Sequence, residues 1–426
     1  MQVINSIKYY LTYLYCLLIK FINLFIEKDN SIIFIPHHNC KLDGYDILNY
    51  ASDNVLTLLN YLLSNPKYDG YNLVVVYHND CRLPDYISYI SSFTRHGSIK
   101  FILYSPRLQF STDFLKSFVK SSYIFTASSG YNFMYKSYKQ KVINLGYYTP
   151  FKDDSWVLNK LNDDEILNKT KIVNATFDYF ICTSALSARI ISTDLLLFYP
   201  KCIPLGFPRN DNLYHPNKDI RNQIVSLAGK NISKIICYTP TFRDYEKSTP
   251  VLQTKTIWGN AEYVGDELVN KILKEHNAIV VVKMHSWQAK DVLFSDHTCD
   301  NIIFYDELQK AIPQISLYDI LSVSDALITD YTSTSFDYLH MDKPIIYYFY
   351  DYEKYNETRG FSYDPIDFMC AGPVAYTFSE LTLYLQQVMH GEDAFKETRR
   401  NLHRLINKQH DDLASERILD FIIPKQ

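Results

Sequence analysis

Short apolar runs alternate with stretches of helical period along this chain. In the first half the runs are Ser31–Pro36, Leu73–Tyr77, Ile99–Tyr104, Tyr123–Thr126 and Val142–Leu145, and Val55–Leu63 and Phe110–Val119 carry apolar residues at helical spacing between them. Strands that are apolar on both faces and separated by helices predict a parallel sheet covered on both sides. The second half repeats the pattern, with strands over Cys202–Leu205, Lys234–Tyr238, Ala278–Lys283, Asn301–Tyr305, Ala326–Ile328 and Pro344–Phe349 and helices over Asp219–Leu227, Asp266–Glu275 and Leu317–Val323. Thr377 and Glu380 have capping-box spacing ahead of Leu381–Met389, Gly391 is a stop, and Phe395–Ile423 reads as a charged amphipathic helix. The domain change falls around Tyr199–Gly206. The expectation is an α/β protein of two doubly wound, Rossmann-like domains facing a central cleft. The first covers residues 1–200 and carries an apolar N-terminal helix; the second covers 201–395; a C-terminal helix occupies 396–426. Ligands of such sheets bind beyond the carboxyl ends of the strands.

Composition narrows the function. A chain of 426 residues exceeds one ordinary core. A net charge of -4 gives no basic footprint for nucleic acid. The 8 cysteines, Cys16, Cys40, Cys81, Cys182, Cys202, Cys237, Cys299 and Cys370, stand singly, which argues against a zinc site or a disulfide framework and for reduced thiols in a cytosolic protein. Val3–Ile26 is rich in Leu, Ile, Tyr and Phe, but Lys8 and Lys20 leave an uncharged run of only 11 residues, Tyr9–Ile19. A spanning helix needs about 20 apolar residues. The segment therefore reads either as a helix packed on the first domain or as an interfacial helix lying on a membrane, with a true anchor as a third reading.

Five segments carry chemistry. Gly206-Phe207-Pro208-Arg209-Asn210-Asp211 follows a strand, and its guanidinium suits a phosphate; it also reads as a hinge turn with a structural Arg–Asp pair. Tyr238-Thr239-Pro240-Thr241-Phe242-Arg243-Asp244 offers hydroxyls and an arginine to a phosphate or ribose, or is a polar loop with a local ion pair. Val281-Val282-Lys283-Met284-His285 places a histidine just past a buried strand, where it can bond a leaving phosphate or shuttle a proton. Thr329-Asp330-Tyr331-Thr332-Ser333-Thr334-Ser335 joins a strand to a helix expected to open near Ser333, with more hydroxyls than a cap needs. Asp351–Phe361, which contains Arg359, reads as a polar loop with aromatic residues. The chain has no Gly-rich phosphate loop at these places.

In this order, G-F-P-R-N-D, Y-T-P-T-F-R-D, V-K-M-H, S-D-A-L-I-T-D-Y-T-S-T-S-F-D-Y, K-P-I-I-Y-Y, R-G-F and G-P resemble the CDP-glycerol glycerophosphotransferase family of teichoic-acid and capsule polymerases and primases, over roughly Gly206 to Pro373. Ser52-Asp53-Asn54 and Gln140–Lys152 are similar to family segments in the first half. The resemblance implies a GT-B-like fold with the donor held mainly by the second domain. His285 corresponds to the functional histidine of the lysine-x-histidine strand end, and Thr332 and Ser333 to the hydroxyl pair at the pyrophosphate. Arg209, Thr241, Arg243, Asp330 and Arg359 stand where other motif residues stand. One departure matters. The family has Trp-His-Gly before Thr-Pro-Leu-Lys, whereas here Gly146-Tyr147-Tyr148 precedes Thr149-Pro150-Phe151-Lys152, so Tyr147 occupies the histidine's position. A phenol with a reference pKa near ~10 is a poor general base at neutral pH. His38 and Asp43, after the first strand, are the substitute candidates, and both also read as ordinary loop residues.

The implied reaction moves glycerol phosphate from CDP-glycerol to a hydroxyl of a cell-surface polymer, either a polyol phosphate or a glycan, including a lipid-linked one, and releases CMP. No acidic metal-binding cluster stands out, so metal-independent transfer with no cofactor beyond the donor is expected. The expected location is cytoplasmic, peripheral at the inner face of the cell membrane. CDP-ribitol or a nucleotide sugar as donor, and a non-catalytic donor-binding partner, are the alternatives.

Overall fold

The computed structural model describes residues 2–35, 53–77, 99–103, 108–153, 155–229, 231–241, 257–259, 264–284, 299–312 and 315–424. The chain divides into two compact units, one of Met1–Tyr147, Val157–Arg209 and Leu413–Gln426, the other of Tyr148–Trp156 and Asn210–Asp412.

Among the described residues, the first unit holds β1 (Ser31–Ile35), β2 (Asn72–Tyr77), β3 (Ile99–Leu103), β4 (Tyr123–Thr126), β5 (Lys141–Asn144), β6 (Tyr179–Cys182) and β7 (Cys202–Pro204). They form one sheet in the order β3-β2-β1-β4-β5-β6-β7, with every pairing parallel. All five residues of β1 are buried, as a strand covered on both faces requires. The helix Asp53–Ser64 supplies Val55, Leu58, Leu59 and Leu62 to the core, and each such burial contributes about 2 kcal/mol.

The second unit holds β8 (Lys234–Thr239), β9 (Ala278–Val282), β10 (Ile302–Phe304), β11 (Ala326–Thr329), β12 (Ile345–Tyr348) and β13 (Val374–Ala375). Their order is β10-β9-β8-β11-β12-β13, again wholly parallel. Trp258 stacks on Tyr238 at 4.8 Å and is fully buried in a core with Val280, Ile328 and Leu385.

Two features differ from the sequence reading. Among the described residues after 395 there are two helices, Lys396–Ile406 and Ala414–Ile422, not one. The second lays Ile418, Leu419 and Ile422 into the first unit's core beside Asp53–Ser64, and Lys67 pairs with Asp420 there. The stretch after Asp351 is not a loop: Tyr352–Thr358 is a helix. Its polar sequence hides an aromatic face, on which Tyr355 stacks against Tyr331 at 4.1 Å.

Candidate functional site

In each sheet the chain builds outward from its first strand, then crosses back to that strand's other side. These reversals, between β1 and β4 and between β8 and β11, are the switch points where open parallel sheets bind ligands.

The second unit's switch point is knitted by polar groups. Thr239, the last residue of β8, and Thr329, the last of β11, share a hydroxyl–hydroxyl bond of 3.0 Å, and Thr329 Oγ1 also donates to the Thr239 carbonyl at 3.2 Å. Just past these strand ends, the Thr241 amide donates to both oxygens of Asp330 at 2.9 Å. Asp330 is 2% exposed, and this buried charge-assisted contact fixes the Thr241 turn. Beneath the turn, burial pushes the Cys237 thiol up to about 12 against the pull of Lys283, which leaves it inert as a nucleophile. Lys283 follows β9, its amide donates to the Tyr238 carbonyl at 2.8 Å, and its ammonium lies 4.6 Å from the Tyr305 ring centre.

Thr332 and Ser333 lie between β11 and the five-residue helix Thr334–Tyr338. Ser333 is the N-cap by position but makes no side-chain cap bond, so its hydroxyl does not serve the helix. Thr332 Oγ1 instead pairs with Thr334 Oγ1 at 3.1 Å. Arg359 closes the helix Tyr352–Thr358, ahead of Gly360 at φ 76°. This Arg-Gly-Phe turn is pinned to Thr149-Pro150-Phe151-Lys152. Lys152 bridges Phe361, Ser362 N donates to the Phe151 carbonyl at 3.1 Å, and Asp153 N donates to the Gly360 carbonyl at 3.2 Å. The segment following Tyr147 thus belongs to the second unit.

Arg209 belongs to the first unit. Its guanidinium donates to the Tyr147 carbonyl at 2.9 Å and lies 4.9 Å from the Phe207 ring centre. At the first unit's switch point, the buried Thr126 and Ser128 form a tight polar turn, with Ser128 N donating to Thr126 Oγ1 at 3.3 Å and Gly130 N to Ser128 Oγ at 3.2 Å. The sequence reading did not single these out, although Thr126-Ala127-Ser128-Ser129-Gly130 directly after an apolar run carries the signal. His285, Arg243, His38 and Asp43 lie outside the described residues. The structure therefore brings Thr241 and Asp330 together, sets Thr332 and Ser333 shortly after the same strand end, and puts Arg209 beside Tyr147.

Two parallel, doubly wound units, each with its own switch point, define a GT-B fold. The sequence matches the family described as CDP-Glycerol:Poly(glycerophosphate) glycerophosphotransferase over residues 45–424, and the chain belongs to that family. It is an enzyme of the glycerophosphotransferase type. It is 24% identical over 387 residues to a teichoic acid glycerol-phosphate transferase of Staphylococcus aureus (strain NCTC 8325 / PS 47), covering 87% of this chain and 89% of that one. It is 27% identical over 188 residues to a teichoic acid glycerol-phosphate primase of Bacillus subtilis (strain 168), covering 44% of each. Among solved structures, the wall teichoic acid polymerase TagF superposes with a TM-score of 0.68 at 20% identity, covering 96% of this chain and 91% of that chain.

Proposed function

We propose that this protein transfers glycerol phosphate from CDP-glycerol to a hydroxyl of a teichoic-acid-type polymer. The acceptor oxygen attacks the phosphorus that bears the glycerol, a new P–O bond forms, and the bond from that phosphorus to the bridging oxygen breaks. CMP leaves with the bridging oxygen, and the hydroxyl proton passes to a base. Such transfer depends on placement and charge stabilisation more than on covalent help. In this reading Thr241, Arg243, Thr332, Ser333, Arg359 and Arg209 serve the donor, Asp330 sets the Thr241 turn, and His285 steadies the leaving phosphate. His38 and Asp43 are candidates for the proton. The observation that carries the proposal is the Thr239–Thr329 and Thr241–Asp330 network at the second sheet's switch point.

A lipid-linked acceptor and a place on the inner face of the cell membrane belong to the same reading. They are supported by the helix Gln2–Phe25, which turns Cys16 and Asn23 inward and leaves Leu14, Leu17, Leu18, Phe21 and Phe25 exposed. Among the described residues no helix is long and apolar enough to cross a membrane.

The test is CMP release from purified protein given CDP-glycerol or CDP-ribitol with a membrane extract of the source cell. Release from CDP-glycerol, reduced about 100-fold or more in His285→Ala, is the expected result. Release from CDP-ribitol alone reassigns the donor. No release from either, despite CMP binding, overturns the proposal in favour of another nucleotide donor or a non-catalytic role.

A further inference from the structure

Asn54 is the second residue of the helix Asp53–Ser64, past the capping position. Here its side chain, 1% exposed, reaches groups far away in sequence. Nδ2 donates to the carbonyls of Leu145 at 3.2 Å and Gly146 at 2.8 Å, and Oδ1 accepts from the Arg209 amide at 3.1 Å. Both amide hydrogens and the carbonyl oxygen are thereby engaged by backbone.

The groups it holds close a ring. Gly146 has φ 71°, and a Cβ there would fall 2.4 Å from Phe207 Cε1 and 2.7 Å from the Ile181 carbonyl. The two turns therefore pack against each other with no space between them. Arg209 reaches back to the Tyr147 carbonyl at 2.9 Å. Tyr147 and Arg209 are also the last residues of the first unit before the chain enters the second. An apolar core residue here would remove all three of these buried bonds, at about 1–3 kcal/mol for each group left unsatisfied.

We infer that Asn54 is the positioning residue that sets Tyr147 and Arg209 for the transfer step. This rests on the proposed glycerophosphate transfer. Asn54 touches neither donor nor acceptor in this account; it acts through the backbone of the two turns. Asn54→Asp puts a carboxylate oxygen against the Leu145 and Gly146 carbonyls in place of a donor, while keeping the shape. Asn54→Ser is the milder change, too short to reach either turn.

The experiment measures kcat and KM for CMP release, calorimetric CMP affinity, and amide hydrogen exchange in the wild type, Asn54→Asp, Asn54→Ser and Leu58→Ala. Leu58 is buried on the same helix and shares its apolar core with Leu145 and Phe207, but its side chain makes no hydrogen bond to the turns, so its variant reports loss of packing without loss of the clamp. The expected result is that kcat falls about 30-fold or more in both Asn54 variants, that KM for CDP-glycerol rises and CMP affinity weakens because Arg209 serves the donor, and that exchange of the Arg209 amide quickens. Leu58→Ala lowers the melting temperature and leaves kcat and the Arg209 amide as in the wild type. Folded Asn54 variants with wild-type kcat, or Asn54 and Leu58 variants whose kcat falls in the same proportion to their melting temperature, overturn the inference. A wild type that releases no CMP defeats the transfer reading instead, and an Arg209 amide that exchanges no faster in Asn54→Ser then defeats the positioning claim on its own.

Discussion

The most direct test of the second unit's switch point is Asp330. Its two oxygens accept one amide, that of Thr241, at 2.9 Å, in a site 2% exposed to solvent. A buried hydrogen bond to an ionised acceptor is worth about 1.5–3 kcal/mol. Asp330→Ala removes the acceptor and frees the turn after β8, so that energy appears as the work of reforming the turn when donor binds. At 1.36 kcal/mol per tenfold, CMP affinity should weaken by about 10-fold to 150-fold. Asp330→Asn keeps one carbonyl oxygen able to accept from Thr241 and loses only the charge assistance, so its affinity should fall by about 3-fold to 10-fold. Calorimetric titration with CMP measures both variants against wild type, and thermal unfolding shows whether the unit is intact. An Asp330→Ala protein that melts like wild type and binds CMP within about twofold of it would separate the Thr241 turn from the donor site and refute the reasoning.

Two further outcomes test the physics of the second unit. Gly372, in the Gly-Pro motif, leaves no space for a side chain: a Cβ would lie 1.8 Å from the Ile345 carbonyl of β12, so Gly372→Ala should destabilise the protein by about 3 kcal/mol or more, seen as a large fall in melting temperature and soluble yield. His403 is held down to about 4 by burial and then by His410, which stacks on it at 4.2 Å, against the pull of Asp342; its ring also meets His340 at 3.2 Å. Its folded pKa lies below its unfolded 6.5, so the unfolded state binds the extra proton and stability falls as pH drops from 6.5 towards 4, by about 3 kcal/mol in full. Urea unfolding at stepped pH should show this slope in wild type and a shallower one in His403→Gln.

How much of this was legible in the sequence depends on whether the signal was local. Strands such as Ser31–Ile35 and Ala278–Val282 announced themselves because burial on both faces demands unbroken apolar residues. Tyr179–Cys182 escaped because its four residues sit between two helices with no glycine or proline to mark them, and Val374–Ala375 is too short to carry a period. The helix Tyr352–Thr358 read as a loop because its stability comes from ring contacts with Tyr331 and Phe361 and not from an apolar stripe of its own. The link of Lys152 to Phe361 and the partners of Asn54 were invisible for a different reason. They join a backbone or an amide side chain to backbone 91 to 209 residues away, and no propensity records such a pairing. The candidate residues Thr241, Asp330, Thr332 and Ser333 were legible because a switch point places them directly after strands that are themselves legible.

The same contrast explains why the ordered motifs contain residues whose hydrogen bonds go to distant backbone. In-line phosphoryl transfer gains most of its rate from placement, and a misplacement of about 1 Å can cost about 100-fold. Placement requires that turns at strand ends be held by buried polar clamps. In Gly206-Phe207-Pro208-Arg209 the glycine takes φ 87°, Phe207 fills the space that Gly146 leaves open, and Arg209 grips the Tyr147 carbonyl while its own amide is gripped by Asn54. Asp330 does for Thr241 in the second unit what Asn54 does for Gly146 and Arg209 in the first. A buried carboxylate and a buried amide, each bonded to backbone at the end of a parallel strand, are two solutions to one requirement. Both clamps hold backbone, the carbonyls of Gly146 and Tyr147 among them, so they do not depend on which side chain stands at position 147.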